Sequence, residues 1–218
     1  HSTIMKRVFN LIVVDESGSM CVIEKQALAG LNETIQTVKK VQDAHPDMEQ
    51  HITIMTFDSG HKRYIYDNVL AKDATMLSEK DYNPGGATPL YDAVGIAISR
   101  LNAITTDDDH VLVTIITDGE ENCSTEYSLN MIKTLIEKLK KHNWTFSFIG
   151  TDNLDVESMA KEMNIDNHLT FTEDAEGTAE MFATERACRM SFMHNIFAGH
   201  AVGKGSYFNS DNNDDKKE

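Results

Sequence analysis

The chain has 218 residues, 40% of them hydrophobic and 25% charged, a balance that suits one α/β domain with a buried core. Its formal net charge of -15 excludes nucleic acid and anionic membrane as main partners and leaves room for divalent cations. Cys21, Cys123 and Cys188 form no C-x-x-C pair, so neither a zinc site nor a redox pair is indicated, and sparse, odd cysteines suit a reducing compartment.

Residues 1–5 read as an N-terminal extension, with Met5 as the native start. Val8 to Val14 is a continuous apolar run, the pattern of a strand buried on both faces. It follows Lys6-Arg7 and so resembles the start of a signal peptide, yet it is short for one and no small-x-small cleavage site follows. No stretch approaches the ~20 apolar residues of a membrane span. The protein is therefore read as cytoplasmic.

Leu28, Leu31, Ile35 and Val38 recur at helical spacing, in a helix that ends before His45-Pro46. His51 to Phe57 reads as a second strand, and Lys62 to Tyr66 as a short strand pairing back on it at the sheet edge. Asn83-Pro84-Gly85-Gly86 is a loop signal. Thr88 and Pro89 then suit the N-cap and first position of a helix whose stripe is Leu90, Val94, Ala97, Ile98 and Leu101. Val111 to Thr117 is another buried strand. Leu129, Ile132, Ile136 and Leu139 mark a helix, Trp144 to Ile149 a strand, and Val156 to Met163 a short helix. His168 to Phe171 is the last strand; Met181, Glu185, Cys188 and Phe192 follow one face of the last helix. Such alternation predicts a doubly wound, Rossmann-like α/β domain over 6–198. Its central sheet is mainly parallel, of about six strands with one antiparallel edge strand, and carries helices on both faces. Residues 199–218 read as a polar tail, its charge run Asp211 to Glu218 expected to be disordered.

The chemistry-bearing residues lie at strand ends. Asp15, Ser17 and Ser19 follow the first buried strand, and Gly18 is read as the residue that lets their turn close. In a doubly wound sheet, ligands bind beyond such strand ends. Thr88 in the Gly85-Gly86-Ala87 loop, and Asp118-Gly119 after Val111 to Thr117, should reach the same rim. Hydroxyl and carboxylate oxygens are hard donors that suit Mg²⁺, Mn²⁺ or Ca²⁺. A purely structural alternative makes Ser17 and Ser19 caps of a helix beginning near Cys21, with Asp15 at its N-terminus.

Asp15-x-Ser17-x-Ser19, then Thr88, then Asp118 before Gly119, resembles the complete metal-ion-dependent adhesion site of the von Willebrand factor A family, over roughly Lys6 to Phe197. The resemblance implies one divalent ion, Mg²⁺ before Mn²⁺ or Ca²⁺. Ser17, Ser19 and Thr88 would act through their hydroxyls, and Asp15 and Asp118 through water or hydrogen bonds, with Glu16, Gly18, Gly86, Gly119 and Glu120 on the rim. An ion so weakly neutralised would take an exposed Glu or Asp of a partner protein, without catalysis and with no nucleic acid or membrane involved. Val22 and Ile23 stand where integrin β chains carry the acids of a neighbouring site, so one ion is expected. The closest kinship implied is to stand-alone bacterial intracellular members.

An enzyme reading competes: a metal-dependent phosphohydrolase with Asp15 as nucleophile and Glu120 or Glu121 as general base. Position 17 is serine, where the haloacid dehalogenase-like pattern has its acid-base aspartate. Gly199 to Ser206 lacks the spacing and the preceding strand of a phosphate loop.

Overall fold

The structure, a computed structural model, describes residues 5–200, 203 and 205–208. The charge run Asp211 to Glu218 lies outside the described residues. Among the described residues there are six strands, β1 Lys6–Asp15, β2 Met48–Phe57, β3 Lys62–Leu70, β4 His110–Thr117, β5 Trp144–Thr151 and β6 Asn167–Phe171. Their order is β3-β2-β1-β4-β5-β6. Every neighbouring pair is parallel except β2 with β3. The helices are α1 Glu24–Ala44, α2 Leu90–Ile104, α3 Leu129–Leu139, α4 Val156–Glu162 and α5 Ala175–Phe197. The doubly wound, Rossmann-like sheet with one antiparallel edge strand is thus the fold. No helix among the described residues is long and apolar enough to cross a membrane.

β1 explains why its run is apolar on both faces, with Asn10 its one polar residue. Val8, Ile12 and Val14 pack with α1 and α5 on one face, while Phe9, Leu11 and Val13 pack with α2, α3 and α4 on the other. Side chains of both sets are almost fully buried. On the first face, Gly30 of α1 admits the Phe182 ring of α5: a Cβ there would lie 2.2 Å from it.

That face also holds a buried charge. Arg189 of α5 is fully buried and reaches Glu185 at 2.8 Å, Asn10 Oδ1 at 2.6 Å and Thr114 Oγ1 at 2.9 Å. Asn10 Nδ2 donates in turn to Gln50 Oε1 at 2.9 Å. Tyr207, inside the stretch assigned to the tail, is buried, donates to Glu185 Oε1 at 2.8 Å and meets the Phe192 ring edge-on. The packed body therefore extends past residue 198. An aromatic side chain with a buried acceptor in reach outweighs the polarity of its neighbours.

Elsewhere the boundaries shift. β3 continues to Leu70, and a 3-10 turn over Gly18–Ile23 precedes α1. Thr88 does not cap α2: Pro89 holds that position and makes no side-chain capping bond. The Thr88 hydroxyl is left facing the strand-end rim.

Candidate metal site at the sheet's switch point

The chain runs from β1 outward to β2 and β3, then crosses to β4 on β1's other side. The crevice between the C-terminal ends of β1 and β4 is the switch point, where neither connecting loop covers the strand ends. Register places Val14 beside Ile116, which sets Asp15 against Thr117 and brings Asp118 over the crevice.

Asp15 is fully buried with both oxygens engaged. Oδ1 accepts from the Ser17 amide at 2.7 Å, and Oδ2 accepts from Thr117 Oγ1 at 2.7 Å. Tyr82 donates its hydroxyl to the Asp15 carbonyl at 2.7 Å, closing the site from below. Ser17 and Ser19 bring their hydroxyls within 3.3 Å of each other, and Ser19 Oγ donates to Asp118 Oδ1 at 2.8 Å. Ser17 stands at the start of the 3-10 turn and makes no capping hydrogen bond, and α1 begins only at Glu24, with no side-chain cap. The capping alternative for these serines is therefore not what they do.

Thr88 joins from the second loop. The Gly18 amide donates to the Gly86 carbonyl at 3.1 Å and the Gly85 amide to the Glu16 carbonyl at 2.7 Å, which ties the two loops together. Gly86 has φ +83°, and a Cβ there would lie 2.7 Å from Ser59 Oγ, so glycine is needed. Gly18 is different: its φ is not positive and a Cβ would meet nothing closer than 3.9 Å. Its role rests on its amide rather than on conformational freedom. A Cβ on Gly119 would lie 3.1 Å from Thr88 Oγ1, which places that hydroxyl against the turn that carries Asp118. The five residues Asp15, Ser17, Ser19, Thr88 and Asp118 thus converge on one edge.

The rim divides. Gly18, Gly86 and Gly119 border the site, and Glu120 is exposed beside it. Glu16 is not on the rim: it is fully buried and accepts from the Asn83 amide at 2.7 Å and Arg63 at 3.2 Å, with His61 at 3.4 Å. It fastens the β2–β3 hairpin and the 83–86 loop beneath the site. Glu121 is also occupied, accepting from the Tyr91 amide at 3.1 Å and the Ser124 amide at 2.9 Å. Asn122 takes the Thr88 amide at 3.0 Å. Glu121, with Ser124 Oγ accepting from the Asp92 amide at 2.9 Å, supplies the acceptors that the N-terminus of α2 lacks locally. Cys21 is exposed.

Electrostatically the pocket is acidic and under-neutralised. Burial raises the Asp15 carboxyl to about 6, against the hydrogen bonds from Ser17 and Thr117, and the Asp118 charge adds to the rise. Glu173, in the β6–α5 loop, is pushed to about 8 by burial and by its contact with Asp118, with Asp15 and Asp152 adding to it. Asp118 Oδ2 and Glu173 Oε1 are buried without a hydrogen-bond partner. Sequence reading missed Glu173, Thr117 and Tyr82. The usable signal was position: Glu173 lies two residues beyond the C-terminal end of β6, at the edge where ligands bind, and Thr117 alternates inward one residue before Asp118.

Asp92 holds the long β4–α3 loop in place. Its buried carboxylate accepts from the amides of Thr125 at 2.8 Å, Glu126 at 2.9 Å and Tyr127 at 2.8 Å. Burial works to raise its pKa, but the three amides outweigh it and the pKa is lowered. A depressed folded-state pKa contributes stability that is present above the unfolded value and lost as pH falls through the folded one. Asp92→Ala is expected to cost about 2 kcal/mol at neutral pH, and the difference from wild type should shrink below about pH 4. Urea unfolding at pH 7 and pH 3 checks this; a difference constant between the two contradicts it.

No protein-family model and no curated protein matches the chain. Solved structures do. The SpRpn10 VWA domain superposes with a TM-score of 0.60 at 12% identity, covering 81% of this chain and 94% of that one. The vWF domain of the type V pili tip protein Mfa5 from Porphyromonas gingivalis gives 0.60 at 14% identity, with 90% and 97% covered. Proximal thread matrix protein 1 from the mussel byssus, with a zinc-occupied MIDAS motif, gives 0.59 at 14% identity, over 84% of this chain and 48% of that chain. The switch-point sheet described above is therefore the von Willebrand factor A fold.

Proposed function

We infer that this domain holds one divalent cation at the switch point and uses it to bind an acidic side chain of a partner protein. The observation that carries this reading is the convergence of three hydroxyls, Ser17, Ser19 and Thr88, with Asp15 and Asp118 on one edge, where Asp118 Oδ2 is buried without a donor. The donor set fits a hard ion. Ser17, Ser19 and Thr88 bring hydroxyl oxygens, and Asp15 and Asp118 carboxylate oxygens, all of them hard donors. Mg²⁺ suits these oxygens best, with Mn²⁺ or Ca²⁺ as substitutes. The zinc-occupied motif in the mussel protein supports a divalent ion at this place in the fold.

Ser17, Ser19 and Thr88 would hold the ion, and Asp15 and Asp118 would orient the hydroxyls. When bound, the ion supplies a positive charge that neutral hydroxyls barely quench, and so an open position for a carboxylate. Asp15 is a poor nucleophile, because both its oxygens are engaged and it is fully buried. Glu121, a base candidate for a phosphohydrolase, already accepts from Tyr91 and Ser124. Partner binding is preferred over hydrolysis on these grounds.

The acidic surface, net charge -15, repels an acidic partner everywhere except at the ion. Raised salt should therefore weaken the complex little. The test is capture of partners on the immobilised protein in Mg²⁺ and in EDTA, followed by acid-to-amide changes on the partner recovered. Release by EDTA and dependence on one Glu or Asp are expected. A complex that survives EDTA, or that needs no single acid, overturns the reading.

A further inference from the structure

Glu16 lies between Asp15 and Ser17, on a turn at the rim of the sheet, where a glutamate would be expected in water; yet it is fully buried. A buried carboxylate is costly unless charged or hydrogen-bonded partners meet it. Here they come from two elements. Oε1 accepts from the Asn83 amide at 2.7 Å and from Arg63 Nη2 at 3.2 Å, and His61 Nε2 lies 3.4 Å from Oε2. Arg63 Nη2 also donates to the Asp81 carbonyl at 2.6 Å, so one guanidinium joins the first site loop to the segment that leads into the second.

The loop from Asn83 to Thr88 is tied down along its length. The Gly85 amide donates to the Glu16 carbonyl at 2.7 Å, and the Gly86 carbonyl accepts from the Gly18 amide at 3.1 Å. The Ala87 amide donates to Ser59 Oγ at 3.0 Å, and the Thr88 amide to Asn122 Oδ1 at 3.0 Å. Ser59 belongs to the β2–β3 turn, which Asp58 Oδ1 closes by accepting from the Gly60 amide at 2.6 Å and the His61 amide at 3.0 Å. The β2–β3 hairpin therefore grips the Ser17–Ser19 loop through Glu16 and the Thr88 loop through Ser59.

Oxygen donors alone do not separate Mg²⁺ from Ca²⁺, since both ions take them. Mobility of the donors does. Mg²⁺ keeps a small octahedral shell with bonds of about 2.0–2.1 Å, whereas Ca²⁺ gathers about six to eight oxygens at about 2.3–2.6 Å in a flexible shell. Loops fixed at this many points cannot spread to supply further oxygens, and both oxygens of Asp15 are already engaged. We propose that the clasp of Glu16, Arg63 and Ser59 determines the ion specificity of the site, favouring Mg²⁺ over Ca²⁺ by fixing Thr88 relative to Ser17 and Ser19. This rests on the metal reading above. The three are positioning residues, acting through the two loops and not as ligands.

Mn²⁺ serves as the probe. It is bound to wild type, Arg63→Met, Ser59→Ala and Glu16→Gln, free ion is read by electron paramagnetic resonance, and Mg²⁺ or Ca²⁺ is titrated in to displace it. Wild type is expected to hold Mg²⁺ more tightly than Ca²⁺. In Arg63→Met, Mg²⁺ affinity is expected to fall about tenfold and Ca²⁺ affinity by less than about threefold, so the preference narrows. Ser59→Ala should narrow it in the same direction. Ser59 is exposed and Arg63 half-buried, so these two variants carry the test if Glu16→Gln fails to fold. A merely structural role lowers both affinities by the same factor. That result overturns the proposal, as do affinities unchanged in Arg63→Met and Ser59→Ala, a preference that widens, or a wild type that holds Ca²⁺ as tightly as Mg²⁺. Wild type that binds no Mn²⁺ overturns the metal reading itself, and the two failures are thereby told apart.

Discussion

Replacing Arg189 by alanine is expected to destabilise the domain by about 3–5 kcal/mol, the largest effect of any single change considered. The guanidinium is fully buried and serves three acceptors, Glu185, Asn10 and Thr114. Truncation leaves Glu185 as a buried charge whose remaining partner is the Tyr207 hydroxyl, and it strips Asn10 and Thr114 of a donor. It also opens a cavity between α5 and the sheet, because Arg189 is among the largest of the fully buried side chains. Removing both charges is a different case. In Glu185→Leu, Arg189→Met, apolar side chains of similar volume replace the pair, and much of the loss should be recovered. Urea unfolding of the two variants separates these outcomes. A loss within about 1 kcal/mol for Arg189→Ala would mean that the network is held by Tyr207 and Asn10 without it.

The double change Ser17→Ala, Ser19→Ala is expected to lower divalent-ion affinity roughly hundredfold or more, since two of the proposed ligands vanish at once. The fold should survive. Neither serine caps a helix, and the core lies on both faces of the sheet below the site. Metal adds only the linkage term to stability, about 3 kcal/mol at a hundredfold excess over the dissociation constant. Stripped wild type and stripped variant should therefore unfold at nearly the same urea concentration and differ only when the ion is added. Collapse of far-UV circular dichroism in the stripped protein would contradict this.

The fold was legible because both faces of the sheet are buried. Runs such as Val8 to Val14 have no polar interruption apart from Asn10, and that asparagine sits opposite Arg189. Arg189 itself was not legible. Glu185 and Arg189 are spaced as a surface helix pair would be, and nothing local shows that Asn10, Thr114 and Tyr207 close around them. Tyr207 was hidden for the same reason: its acceptor lies 22 residues away on the helix.

In the candidate site, the convergence of the five motif residues followed from strand ends and motif order. What failed was exposure. Glu16 carries the charge expected of a rim residue, yet Asn83, Arg63 and His61 bury it. Thr88 was assigned to a helix cap because Thr-Pro is such a common start. Glu121 and Ser124, from the loop after β4, accept from the first amides of α2 and free the threonine. Contacts between distant loops leave no periodic trace in a sequence.

The central claim is that hydroxyls at the switch point hold one hard divalent ion. Its most direct test is calorimetric titration of metal-stripped wild type with Mg²⁺ and Mn²⁺, beside the Ser17→Ala, Ser19→Ala variant. The account predicts saturation at one ion per chain in the wild type and loss of that binding in the variant. No detectable binding at about millimolar ion, or binding unchanged by the double substitution, would contradict it.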